Sequence, residues 1–310
     1  MFGRVFAIAL NTYREAVRAR VLLGLLGLAL GTSGYSLVIA TMAVRQETRI
    51  IADIGAASMS LYAILVAIVL GATSLYRELE LKTVFPILTR RLRRHEYLLG
   101  KYFGILAVIL AFIAVDGATV FTMLAVQSEK VASRALIAAV SLLAILGVGL
   151  WRAKHSRVFF ILPWSLVALA VLASISGDAG GERQVVLISM ALTMAEVSIV
   201  VALAMLFSSF SSPFLTAIFT VMMFLIGRSA DTLANLPVRY FGQTIRAIGV
   251  VLSKIVPNLN VYVPARPLLL GQVAHISLVK YVSSAWGVAI FYAAVLLTLS
   301  AVVFRRRDFQ

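Results

Sequence analysis

Hydrophobic residues along this chain come in long unbroken runs separated by short polar segments. Runs near ~20 residues match helices that cross a bilayer, whereas a transmembrane β-barrel shows alternating segments of about ten. The runs predict eight spans, at about 21–44, 55–75, 103–126, 135–151, 158–176, 185–207, 214–230 and 284–304. The fourth and fifth are short, which sets the range at six to eight. The expected fold is all-α, a polytopic helical membrane protein with a single transmembrane domain over 21–304.

Two other segments carry helical periodicity. In residues 2–20, Val5, Phe6, Ala9, Leu10, Tyr13 and Val17 share a face, accompanied by Arg4, Arg14, Arg18 and Arg20. This pattern predicts an amphipathic helix lying on the membrane surface, so 1–20 is set apart as an interfacial helix. A cleaved signal peptide fits less well, because the following run stays apolar from Val21 to Val44. Residues 231–283 are less hydrophobic and hold Pro237, Pro257, Pro264 and Pro267. They read as an extracytoplasmic or re-entrant excursion. Within it, 242–256 places Ile245, Ile248, Leu252 and Ile255 on one face, flanked by Arg246 and Lys254.

Composition agrees with this picture. Of 310 residues, 61% are hydrophobic and 13% charged, more apolar surface than a soluble domain of this length can hide. Cysteine is absent, which excludes disulfides and thiol chemistry, and three histidines make a histidine-rich metal site a poor expectation. The net charge of +15 suits anionic lipid headgroups. Nucleic acid is the poorer partner, since no soluble basic domain exists to bind it.

Charge also orients the chain. The densest charged stretch is Tyr76–Gly104, with Arg77, Lys82, Arg90, Arg91, Arg93, Arg94 and Lys101 beside Glu78, Glu80 and Glu96. With the amino terminus inside, the inner segments 2–20, 76–102, 152–157 and 305–307 carry four, seven, three and three basic residues, more than half of the 28. Both termini are then cytoplasmic, with 305–310 a cytoplasmic tail. The expected location is the cell (inner or plasma) membrane, crossed many times.

Several residues invite chemistry. Gly24, Gly27, Gly31 and Gly34 lie near one face of the first span, and Gly27 and Gly31 have the close-packing spacing. They predict helix packing, within the subunit ahead of a dimer or gating seam. Asp116 and Glu196 fall inside spans, where a charge costs roughly 2.5–3.5 kcal/mol on the insertion scale. They fit an ion path, hydrogen-bonded struts or protonated acids. Arg228 and Asp231 suit a local helix-end pair. The Ser208–Pro213 run reads as a tight turn without a nucleophile, because no acid or base is spaced to activate its serines. Gly100-Lys101 lacks the Ser or Thr and the earlier glycine of a phosphate loop, so ATP hydrolysis is not expected on this chain. No catalytic or metal residues are assigned, and no cofactor is expected here.

Two motifs resemble the permease subunits of ABC-2-type ABC transporters. One is Ala9 to Arg18, similar to that family's amino-terminal amphipathic helix. The other runs from Glu78 to Thr83, then Pro86, Thr89-Arg90, Arg94 and Glu96 to Lys101, and resembles its inner loop between spans two and three. Arg91 and Leu92 stand where the family often has proline. Ser208 to Gly227 is similar to the family's later half, and the pair 135–176 is an addition to its six-span plan.

The resemblance implies a transport subunit, an exporter working with a second permease subunit, identical or homologous, and two copies of a separate ABC ATP-binding subunit. ATP and Mg would sit on that partner. The loop 76–102 would carry a cytoplasmic coupling helix docked into the ATPase through Glu78, Lys82, Arg90, Arg91, Arg94 and Glu96. Lipid-facing arginines are what topology alone predicts there. Alternatives are a mechanotransmitting permease acting on an extracytoplasmic partner through 231–283, and an ion-coupled secondary transporter using Asp116 and Glu196. No inverted repeat supports the latter.

Overall fold

In a computed structural model, residues 2–43, 45–80, 94–128, 131–153, 157–273 and 277–306 are described. Among them every regular element is helical and no strand occurs. The protein is an all-α, polytopic membrane protein. Seven helices are long and apolar enough to cross a bilayer: α2 (Arg20–Ala40), α3 (Glu47–Glu80), α4 (Arg94–Gln127), α5 (Ala132–Arg152), α6 (Arg157–Ile175), α7 (Gly181–Ser208) and α12 (Leu278–Arg306). The remaining expected span, 214–230, falls on α8 (Pro213–Arg228), which is shorter. Its 16 residues rise only about 24 Å, short of a hydrocarbon core of about 30 Å.

Helices outgrow their apolar runs where charged turns continue them. The runs 55–75, 103–126 and 284–304 begin as helices at Glu47, Arg94 and Leu278. Both α3 and α4 have 34 residues, about 51 Å of helix, so each extends well beyond the bilayer core. The segment joining them, 81–93, lies outside the described residues.

The core is built from α3, α4 and α7. Helix α7 packs against α3, α4, α8 and α12, and Glu196 to Met205 is buried without a break. Gly71 makes the α3–α7 approach possible, because a β-carbon there would stand 2.5 Å from that of Ala204. Helices α5 and α6 form a hairpin on the flank of α4. Trp164 Nε1 closes it by donating to the Leu142 carbonyl at 2.9 Å. The serine turn between α7 and α8 places Pro213 in the first helical turn. Its hydroxyls bond carbonyls of the helix end: Ser208 to Met205 at 3.0 Å, Ser209 to Leu206 at 2.6 Å and Ser211 to Phe207 at 2.7 Å.

Among the described residues, nothing in the subunit covers the glycines of α2. A β-carbon at Gly24, Gly27, Gly31 or Gly34 would meet nothing within 4 Å. The spacing identifies a helix face but not whether anything covers it. The close-packing pair that is covered is Gly100 and Gly104 on α4. It seats the amphipathic helix α1 (Phe2–Val17). Added β-carbons there would approach the side chains of Ile8 and Thr12 to 2.6 Å, and the Ala9 carbonyl to 2.7 Å. On the same helix Tyr13 is buried beside Phe159, and burial pushes its phenol up to about 12.

Gly104→Val is expected to unseat α1 at a cost of about 1–3 kcal/mol, because backbone blocks the added methyls. The chain has no cysteine, so Thr12→Cys is a clean reporter. Maleimide should label it slowly in the parent and rapidly beside Gly104→Val. Equal protection in both would mean that α1 is held elsewhere.

After α8, α9 (Ala230–Ala234) leads to α10 (Val238–Ile255), which breaks at Gly242, where φ is +76°. Ile245, Ile248, Val251 and Ile255 on α10 are exposed. A 3-10 turn (Leu259–Tyr262) and α11 (Arg266–Leu269) lead on towards α12.

Candidate functional site: three charged clusters

Three charged clusters stand along the bundle, and α3 takes part in each. The first forms the base of the charged segment. Glu78 lies in the last turn of α3 and Arg94 opens α4. Lys82, Arg90 and Arg91 lie outside the described residues. Glu96 is buried at 3% exposure, and its Oε2 stands 3.8 Å from Arg4 Nη1 on α1. Five residues on, Lys101 is buried too. Its ammonium donates to the Ser74 carbonyl at 3.0 Å and the Ser74 hydroxyl at 3.2 Å, above the Tyr97 ring. An ammonium taken from water needs such acceptors. Lys101 thus ties α4 to α3 just inside the segment, while Glu96 ties α4 to α1.

The second cluster is the intramembrane pair. Glu196, at mid-α7, has no exposed surface. Its two oxygens accept from Arg228 Nε at 2.8 Å and Nη2 at 2.9 Å, a bidentate fork. Ser60 on α3 lies 3.4 Å from the same guanidinium, and the Phe224 ring lies 5.5 Å below it. The sequence expectation paired Arg228 with Asp231. Asp231 instead accepts from Asn258 and Asn260, each at 2.7 Å, because α8 ends at Arg228 and α9 turns away.

Asp116 sits apart from this pair. It is fully buried on α4, and its Oδ1 accepts from Ser33 on α2 at 2.8 Å. Ser58 of α3 is 3.5 Å from Ser33. Asp116 and Glu196 share no hydrogen-bond partner, so the described contacts do not join them into one relay.

The third cluster was not legible in the sequence. Arg266 of α11 bonds Asp53 of α3 through Nη1 and Glu182 of α7 through Nη2. Arg49 adds a second cation 3.7 Å from Asp53. Three distant segments meet here, each contributing one charge near a helix end, and no local spacing marks them. Between this clamp and the Arg228–Glu196 pair lies a cavity of about 390 Å³, lined by Asp53, Ser60, Arg228, Tyr262 and Arg266 with Ser189 and Thr193 of α7 and apolar neighbours. Burial pushes the Tyr262 phenol well above its ordinary value, and its hydroxyl donates to the Ala285 carbonyl at 3.1 Å.

No protein-family model and no curated protein matches the chain.

Proposed function

We propose that this chain is the membrane-spanning permease subunit of an ABC-2-type exporter, paired with a second permease subunit and driven by two separate ATP-binding subunits that carry ATP and Mg. The observation that carries this reading is the charged segment 76–102 on its pinned base. Two helices longer than the bilayer core flank it; Lys101 bonds one to the other, and α1 packs on Gly100 and Gly104 with Arg4 3.8 Å from Glu96. A push on such a segment moves three helices together instead of bending a loop. The cytoplasmic side is the side of this segment, with both termini, by the distribution of basic residues, which requires α8 and the residues that follow it to complete an eighth crossing. Hydrolysis belongs to the partner, and the permease switches between inward and outward states by rigid-body motion of its helices.

A second reading is favoured by the outer clamp. Arg266 joins the 231–283 excursion to α3, the same helix that runs to the charged segment. Motion of α3 would therefore reach the excursion directly, as mechanical transmission to an extracytoplasmic partner requires.

Co-expression with the ATP-binding subunit of a neighbouring reading frame tests the class. Mild detergent should yield a complex with two ATPase copies, and reconstituted vesicles should show ATP-dependent transport. A chain that purifies alone and gives no ATP-dependent activity defeats the proposal. Cross-linking to an extracytoplasmic protein, lost on trimming 231–283, would select the mechanical reading.

A further inference from the structure

A cavity of about 500 Å³ shares no lining residue with the three charged clusters, although its His95 end adjoins Arg94 of the first. It is a slot between α4 and α12 with α7 as its floor, reaching from His95 and Ala301 at one end to Leu106 and Trp286 at the other. The stacked rings of Tyr97 and Phe304, 6.4 Å apart, join α4 to α12 near the His95 end.

Between His95 and Trp286 at its two ends, the slot offers little to a polar solute. The Tyr102 hydroxyl on its wall already donates to the Ser198 carbonyl at 3.2 Å. Ser198 Oγ donates to Ala195 at 2.6 Å, and Thr298 Oγ1 to Ala294 at 2.7 Å. Donors already committed to main-chain carbonyls leave an essentially apolar lining, which suits hydrocarbon.

Its length narrows the choice. Along α4 it covers 95–106, about 17 Å, and along α12 it covers 286–301, about 22 Å. A crossing helix of a second copy needs about 30 Å. One leaflet is half that, so the slot takes a lipid chain and not a span.

Its ends differ in charge. At the His95 end, Arg94 opens α4 while Arg305 and Arg306 close α12. Glu96, the acid nearest Arg94 in sequence, is buried 3.8 Å from Arg4, and Asp308 follows a run of three arginines, 305–307, that keeps this end net basic. At the Trp286 end, α12 carries a single basic residue among the described ones, Lys280, six residues before Trp286. We propose that this slot holds one acyl chain of an anionic phospholipid, with its phosphate at the Arg94–Arg306 end, as a retained lipid distinct from the mobile annulus. The proposal does not depend on the transport reading.

Native mass spectrometry of the full chain, delipidated and re-exposed to phosphatidylglycerol or phosphatidylcholine, tests it. The parent should retain phosphatidylglycerol in preference to phosphatidylcholine. Ala294→Trp, which fills the slot, should weaken retention by about tenfold or more. Val288→Trp, on the same helix outside the slot, should not. Arg305→Gln with Arg306→Gln should weaken phosphatidylglycerol about tenfold and leave phosphatidylcholine unchanged. Bimane on Ala294→Cys, in a chain otherwise free of cysteine, should be quenched by lipid brominated on the acyl chain. Equal retention of the two lipids by the parent overturns the charge assignment. Retention by a monodisperse Ala294→Trp variant equal to that of Val288→Trp overturns the slot. A disulfide between two Ala294→Cys copies, without bromolipid quenching, assigns the slot to a second copy of the chain instead.

Discussion

Glu196→Gln should destabilise the folded protein by about 3–5 kcal/mol, the range seen when one partner of a buried ion pair is removed. The carboxylate has no exposed surface and both oxygens are engaged by one guanidinium. The glutamine amide retains one acceptor but carries no charge, so Arg228 is left as an uncompensated cation against α7. Arg228 borders the 390 Å³ cavity and is 24% exposed, which gives it some access to water and places the effect near the lower end of the range. Adding Arg228→Gln should recover much of the loss, because the stranded charge goes with it. Unfolding curves of the four proteins in one detergent measure this cycle.

The same four proteins separate a strut from an ion path. If the pair only holds α7 to α8, the double variant regains transport together with its stability. If Glu196 carries an ion, the double variant regains stability and stays inactive. Asp116→Asn is the comparison. Its carboxylate takes a neutral serine, with no guanidinium to strand, so the stability loss should be smaller.

What was legible in the sequence follows from which forces are local. Apolar runs mark spans because the bilayer core has a fixed thickness, and each of the eight expected runs falls on a helix. Their ends were misplaced by up to nine residues at Arg94, since backbone hydrogen bonding continues through charged turns that hydropathy does not count as span. Glu196 stood out by the cost of its burial, but its partner lies 32 residues away. The nearer pairing of Arg228 with Asp231 is what spacing alone suggests. In the fold, the buried carboxylate takes the guanidinium and the exposed one takes two asparagine amides. The α2 glycines are uncovered within the described subunit, because spacing does not reveal coverage. Gly100 and Gly104 carry the same signal inside a stretch that attracts notice for its charges, and they are the pair that packs. Arg266, Asp53 and Glu182 come from three segments that only the folded chain brings together.

If the chain docks an ATP-binding subunit as proposed, Arg90→Glu combined with Arg94→Glu should abolish that association and leave membrane insertion intact. The size of the effect comes from like charge. If these arginines meet acids on the partner, reversing two of them converts attraction into repulsion worth several kcal/mol, about a hundredfold or more in affinity. The inserted fold should survive, because its described anchors lie elsewhere: Lys101 on Ser74, Glu96 beside Arg4, and α1 seated on Gly100 and Gly104. Glu96→Gln is the informative counterpart. That carboxylate is buried, so its loss should loosen α1, read as faster labelling of Thr12→Cys, and weaken docking far less than the arginine reversal. Pull-down of the ATPase and protease mapping of the inserted chain read the two effects separately. An ATPase complex that survives the double reversal would assign these arginines to lipid headgroups, as topology alone predicts. On the proposed reading, ATP-driven force would then have to enter through some other surface.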